Sequence, residues 1–262
     1  MMRILLAEWL KTKRTSMRWI TFLVPVLFSS LIVWYFSMRG VTDNIQISIF
    51  QGFFETWSAL VIPVGVGLLS GLMIHQEEMA GSFNGLLGSR TSRSSLFIGK
   101  LLMLILLTTL STMLATVTLV VGLSYVAHIP VSLPVFIAAM VMVVISTLPL
   151  LAFHLLISFA WGMGPSIGIG GGGLLLGALM ATSLGDTVWQ YIPWGWPVRL
   201  SMLPGFYLFY LPGMELPPLE ISSGFVVHEA IKGIIHATIF FIIMVVGGVL
   251  WFNKWEGRKI YD

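Results

Sequence analysis

Charged and polar side chains cluster between two long apolar stretches, from His75 to Lys100. Glu77 and Glu78 stand near the start of this cluster, and Arg93 stands near its end. Ionised side chains form charge-assisted hydrogen bonds, which are about twice as strong as neutral ones. Because most of the chain is apolar, this polar island is one of the few places where a soluble partner could bind, and we expect it to contact one.

A second group of residues has the spacing of a hydrolase nucleophile. Gly164 to Gly168 spell G-x-S-x-G with Ser166 at the centre, but the nucleophile elbow of that motif requires an α/β sheet. An intramembrane serine protease is an alternative, with Ser166 as the nucleophile and His236 as the base. The simpler interpretation is a helix that begins after Pro165.

The glycine run that follows matches the dinucleotide-binding pattern G-x-G-x-x-G only in its letters. That fingerprint needs a strand before it and a helix after it, whereas this run lies inside an apolar stretch. Small residues four positions apart instead allow helices to approach closely in a membrane. The predicted packing glycines are Gly168, Gly172, Gly173 and Gly177.

Several other kinds of chemistry have no support in the sequence. There is no cysteine, which excludes disulfides and thiolate metal sites. His228-Glu229 begins H-E-x-x-H, but Lys232 replaces the second histidine, so we predict no metal site. Lys100 lacks the upstream glycine of a Walker A motif, where Ser94 stands. We therefore expect that this chain is not itself an ATPase and binds no cofactor.

The amino-acid composition indicates whether the surface of the chain faces water or lipid. Hydrophobic residues make up 57% of the 262 positions and charged residues only 10%, against about 25% charged in soluble domains. The chain is therefore predicted to be an all-α integral membrane protein, since helices satisfy their own backbone groups in lipid. Spans of roughly 20 apolar residues occur at 19–38, 57–74, 101–126, 135–160, 166–184 and 234–252.

Lysine and arginine predict the orientation of these six spans, because cytoplasmic loops carry an excess of both. Eleven of them flank the spans on one side, and only Arg39, Arg199 and Lys232 fall on the other. Both termini and the polar island are therefore predicted to be cytoplasmic. The basic residues flank membrane spans, so we expect no nucleic-acid partner. His154 lies deep in the fourth span, where it is either functional or a neutral histidine bonded to a neighbouring helix.

We predict one transmembrane domain over residues 1–262. Residues 1–18 begin with an amphipathic helix that is expected to lie on the membrane lipids, and residues 75–96 form a cytoplasmic loop. Residues 185–229 form an external segment, too apolar for a free loop and too rich in Pro and Gly for a spanning helix. Short re-entrant helices fit it better. Its predicted substrate contacts are Trp189, Trp194, Trp196, Glu215 and Glu220.

This arrangement resembles the permease subunit of type-2 ATP-binding-cassette exporters. The resemblance covers the whole chain, and the loop carries it best. In the loop, an acidic residue stands about three positions before a glycine, and an apolar turn follows. A Ser-Arg pair comes next, and a Gly-Lys pair opens the third span. It implies a cytoplasmic coupling helix between spans two and three, which we expect over residues 77–87, with Phe83 seated in an apolar groove of a partner ATPase. The residues implied to couple to an ATPase are Glu77, Glu78, Gly81, Phe83, Leu86, Leu87, Arg90, Arg93 and Lys100.

Within that family, the opening residues Ala7 to Arg14 and the Trp- and Pro-rich external segment look similar to lantibiotic-immunity permeases. This implies two cytoplasmic ATPase subunits that hold ATP and Mg²⁺, and a second six-helix permease, either related or identical. It also implies a cationic antimicrobial peptide as the substrate, expelled from the plasma membrane of a bacterium. The alternatives are export of a drug, lipid or polysaccharide precursor, the intramembrane protease, and a scaffold that transports nothing.

Overall fold

The computed structural model is helical throughout the residues it describes, which are 2–39, 44–81, 83–89, 91–210, 214 and 216–257. No β-strand occurs in these ranges. The α-helices are α1 (Met2–Lys11), α2 (Ser16–Ser37), α3 (Ile45–Thr56), α4 (Ile62–Met79), α5 (Asn84–Leu87), α6 (Arg93–Val121), α7 (Leu133–Trp161), α8 (Met163–Ala181), α9 (Gly195–Met202), α10 (Leu219–Ser222) and α11 (Phe225–Lys254).

Six helices in the described ranges are long and apolar enough to cross a membrane, as the sequence predicts. They are Ser16–Ser37, Ile45–Met79, Arg93–Val126, Leu133–Trp161, Met163–Ala181 and Phe225–Lys254. Two of them contain one π-helical turn each, at Trp57–Val61 and Gly122–Val126. The expected all-α membrane architecture is confirmed.

The second span begins twelve residues earlier than predicted, because α3 continues through the π-helical turn into α4. Gln51 and Glu55 interrupt the apolar residues of α3, and both are exposed. Phe50, Phe53 and Phe54 cover the opposite side of α3 and are fully buried. The combined helix is about 52 Å long at 1.5 Å per residue, so it extends beyond a hydrocarbon layer of about 30 Å.

Glycines bring α4 and α8 into close contact. A Cβ added to Gly67 would lie 2.6 Å from the carbonyl oxygen of Ser166, and one added to Gly170 would lie 2.7 Å from that of Pro63. On the same face of α8, a Cβ on Gly173 would meet the indole of Trp194, and one on Gly177 would lie 3.3 Å from Ala59.

The predicted packing of Gly168 and Gly172 requires a correction, because neither packs against another part of this chain. A Cβ at either position would have no neighbour within 4 Å. Spacing by four correctly identifies residues on one stripe of a helix, but it does not identify which stripe faces inward. The inward stripe of α8 also includes Gly170, which the sequence prediction omitted.

The external segment folds as short helical turns that return to the bundle. Ser183–Gly185, Trp189–Tyr191 and Leu203–Phe209 are 3₁₀ turns, and α9 and α10 are the α-helical pieces. Trp189 and Trp196 point inward and are buried in a cluster that includes Leu200 and Val226. This segment therefore has its own apolar core at one end of the spans.

Candidate coupling site

Lys100 lies at the centre of a buried charge cluster at the opposite end of the bundle. Its ammonium donates to Glu8 Oε2 at 2.9 Å and to Glu77 Oε1 at 2.7 Å. Lys11 donates to the other oxygen of Glu8 at 2.9 Å and to Glu77 Oε1 at 2.6 Å. Two carboxylates and two ammonium groups thus join α1, the last turn of α4 and the start of α6.

Burial makes this cluster structurally important. Lys100 is 1% exposed and Glu8 is 5% exposed, and charged residues are almost never so buried unless they are paired. Lys11, at the rim, is half exposed. Burial lowers the pKa of Lys11, but hydrogen bonds and charge interactions with Glu77 and Glu8 outweigh that effect and raise it above its ordinary value. Lys11 is therefore cationic across the neutral pH range.

The sequence prediction of coupling residues missed Glu8 and Lys11. The available signal was a lone carboxylate one turn before a lysine, in a helix whose other charged residues are all basic. An isolated helix with that sequence would leave both side chains in water. Only the tertiary contact with α6 reveals that Glu8 is buried against Lys100.

The segment after α4 turns sharply, so one continuous helix over residues 77–87 is wrong. Gly81 has φ of 126° and Phe83 has φ of 68°, and positive φ values of this kind interrupt a right-handed helix. Glu77 and Glu78 consequently belong to the last turn of α4. The separate helix α5 is only four residues long.

The turn directs Phe83 inward, against the expectation that it seats in a groove of a partner. Its side chain is 2% exposed, and its ring meets that of Trp255 edge to face at 5.0 Å. Leu86 is buried as well. The outward face of this loop instead presents Asn84 and Gly85.

The remaining predicted coupling residues differ in their surroundings. Arg93 donates to the carbonyl oxygens of Asn253 and Trp255 at 3.1 and 2.5 Å, which ties the start of α6 to the end of α11. Glu78 lies 3.4 Å from Nδ1 of His75. Leu87 is half-buried, and Arg90 lies outside the described residues.

At the other end of the molecule, each tryptophan predicted to contact substrate makes contacts within this chain. Trp189 donates to Glu229 at 3.2 Å, and Trp196 donates to the carbonyl oxygen of Gln190 at 2.8 Å. Trp194 is partly buried against Gly173 and Phe153. Glu220 is exposed on α10, and Glu215 lies outside the described residues.

The geometry gives the protease hypothesis no catalytic pair. Ser166 donates its hydroxyl proton to the carbonyl oxygen of Gly67 at 2.9 Å, and a hydroxyl has one proton to donate. It therefore accepts from His154 Nδ1, which lies 3.2 Å away. His236 contacts the carbonyl oxygen of Lys232 at 2.8 Å instead. Ser166 and His154 thus form a buried connection between α4, α7 and α8.

Taken together, the six apolar helices and the charged junction at one end define a multi-pass membrane protein with a polar loop between its second and third spans. Residues 4–170 match the model of the ABC-2 family transporter protein family. Because that match covers more than half of the chain, the chain belongs to this family. It is therefore a transmembrane subunit of an ABC transporter, a class that associates with an ABC ATPase. No curated protein matches the chain.

The matched range includes the charge cluster, the turn at Gly81 and the start of α6. It ends within α8, so the external segment and α11 lie beyond it. Family membership therefore bears on the end of the molecule that holds the charge cluster more directly than on the segment between α8 and α11.

Proposed function

We propose that this chain is the permease of an ATP-driven exporter in which the loop beside the Lys100 cluster receives the movement of two ATPase subunits. The observation that carries this proposal is the buried junction of Glu8, Glu77 and Lys100. A rigid junction of α1, α4 and α6 converts a push on one loop into a movement of whole helices, as rigid-body transitions require. ATP and Mg²⁺ are held by the ATPase subunits.

The substrate proposed is a cationic antimicrobial peptide that is removed from the plasma membrane, as in lantibiotic self-immunity. The support is the charge of the predicted outer side, where acidic residues outnumber basic ones and would attract a cationic amphipathic molecule. A second six-helix permease, related or identical, completes the pathway. Export of a drug, lipid or polysaccharide precursor is the alternative within the same architecture.

The N-terminal helix supports a position at the cytoplasmic membrane surface. Met2, Leu6 and Leu10 form an exposed apolar stripe on α1, which suits contact with acyl chains. Glu8 faces the opposite way, into the charge cluster. One helix would thus contact lipid on one side and the coupling junction on the other.

The proposal is tested by blocking the outward face of the loop without disturbing the fold. A Cβ at Gly85 would have nothing within 4 Å, so Gly85→Glu is accommodated by this chain but places a charged side chain where a partner would seat. We expect the variant to be inserted normally and to lose the ATPase that copurifies with the wild type. ATPase recovery is measured after affinity purification in mild detergent.

Gly164→Glu is the matched control, because Gly164 is also exposed with no neighbour within 4 Å and lies at the start of α8. It should retain the ATPase. Equal recovery of the ATPase with Gly85→Glu and wild type would contradict the assignment of the loop. Absence of any ATPase from the wild-type preparation would contradict the transporter proposal as a whole.

A further inference from the structure

The external end of the molecule contains a cavity of about 500 Å³, within the range of about 300–1,000 Å³ that is usual for ligand sites. Its walls come from α3, the end of α8, α9, the 3₁₀ turn that follows α9 and the start of α11. Carboxylates and aromatic rings share the lining. The residues that carry the argument are Glu55, Asp186, Trp189, Arg199, Phe206 and Glu229.

The position of the cavity places it at the far side of the membrane from the Lys100 cluster. Glu55 and Glu77 are 22 positions apart within the one helical stretch Ile45–Met79. At 1.5 Å per residue this separates them by about 33 Å, close to the thickness of about 30 Å of a hydrocarbon core. A ligand in this cavity would therefore lie at the outer interface, where amphipathic molecules collect.

Two of the three carboxylates in the lining already have cationic partners. Asp186 pairs with Arg199 at 2.8 Å, and Arg199 also donates to the carbonyl oxygens of Met180 and Thr182. Glu229 lies 3.3 Å from Lys232. Glu55 has no ion pair with any of the described residues, so it leaves the cavity with an uncompensated negative charge.

Two residues of the lining, Trp189 and Glu229, already contact one ammonium group of the chain itself. Lys232 Nζ lies 5.6 Å from the centre of the Trp189 ring while it pairs with Glu229, a cation–π distance. Phe206 and Phe225, which also line the cavity, meet edge to face at 5.9 Å. The cavity thus combines a carboxylate, which suits a cationic head, with aromatic walls, which suit an apolar stem.

We infer that this cavity binds a lysine or arginine side chain of an amphipathic peptide, with Glu55 pairing with the cationic group. The long methylene stems of these residues cover apolar surface while the charged head stays with its partner. The inference deepens the proposed function and depends on it for the peptide class. It assigns recognition to Glu55 and to the rings of the cavity rather than to Trp194 or Glu220.

The test uses the full-length chain, purified in a neutral detergent so that lipid charge does not contribute. The probe is a fluorescent synthetic peptide of alternating Lys and Leu, and the reference probe is the same peptide with its lysines acetylated, which removes the charge. Glu55→Gln is expected to weaken binding of the charged peptide by about tenfold, since a hydrogen bond to a charged group contributes about 1.5 kcal/mol or more. Binding of the acetylated peptide should not change.

Glu220→Gln is the control, because it removes the same charge from an exposed helix outside the cavity. Glu55→Lys should abolish binding of the charged peptide. Unchanged binding in Glu55→Gln, or an equal loss in Glu220→Gln, would overturn the assignment of the cavity. Recovery of the ATPase with the Glu55 variants distinguishes this failure from failure of the transporter proposal, since the coupling end is unaltered.

Discussion

Lys100 illustrates how little of a residue's role is visible from its neighbours along the chain. In the sequence it completes a Gly-Lys pair at the start of a span, and it is one of the basic residues that predict the orientation of the spans. In the structure its ammonium is enclosed by two carboxylates from different helices. A buried ion pair is weak evidence for net stabilisation, but removing one member leaves an uncompensated charge.

We predict that Lys100→Met lowers stability much more than Lys11→Met. The first substitution leaves Glu8 and Glu77 with Lys11 as their ion-pair partner among the described residues, and breaking a buried pair costs about 3–5 kcal/mol. The second removes a half-exposed lysine from the rim, where ion pairs contribute about 0–1 kcal/mol. Thermal unfolding of the purified variants in detergent measures the difference. Equal midpoints for the two variants would show that the cluster is not buried as described.

At the scale of the element, the loop between α4 and α6 shows what glycine contributes. Gly81 adopts a φ of 126° that other L-residues rarely adopt, and the turn it permits points Phe83 into the protein. A substitution such as Phe83→Asp would therefore act on folding, since it buries a charge beside Trp255. Variants of the exposed positions Asn84 and Gly85 report on a partner more directly.

Two adjacent glycines of α8, one facing inward and one facing outward, are predicted to differ in how a large substitution changes stability. Gly173→Leu is expected to destabilise the protein by about 1–3 kcal/mol, the usual cost of overpacking, because its side chain would collide with Trp194. Gly172→Leu should leave the unfolding midpoint of the isolated chain unchanged, because nothing lies within 4 Å of its Cβ. Both variants are compared by thermal unfolding in the same detergent. A similar loss in both would contradict the packing described for α8.

At the scale of the whole molecule, two different ends face the two aqueous phases. One end holds the Lys100 cluster and the contacts of Arg93 and Phe83 with the chain near Trp255. The other holds the external segment and its acidic cavity. The distribution of lysine and arginine predicts that the first end is cytoplasmic.

The absence of native cysteine makes this orientation directly measurable. Asn84→Cys and Glu220→Cys place single thiols on exposed positions at opposite ends. In intact cells, a membrane-impermeant maleimide should label Glu220→Cys and should label Asn84→Cys only after permeabilisation. The reverse pattern would invert the predicted topology, and it would place the proposed ATPase contact outside the cell.

The sequence by itself determined the class of the protein, because composition and the length of apolar runs depend on the solvent and hardly on tertiary contacts. Six spans, the all-α fold and the loop that resembles a family motif follow from that local information. Tertiary structure decided which side chains meet. Four features depend on residues that are distant in the chain. They are the inward direction of Phe83, the burial of Glu8 against Lys100, the stripe of α8 that packs, and the cavity at Glu55. A local sequence pattern does not specify which distant residues come into contact, since a helix of given sequence could pack any of its faces against a neighbour.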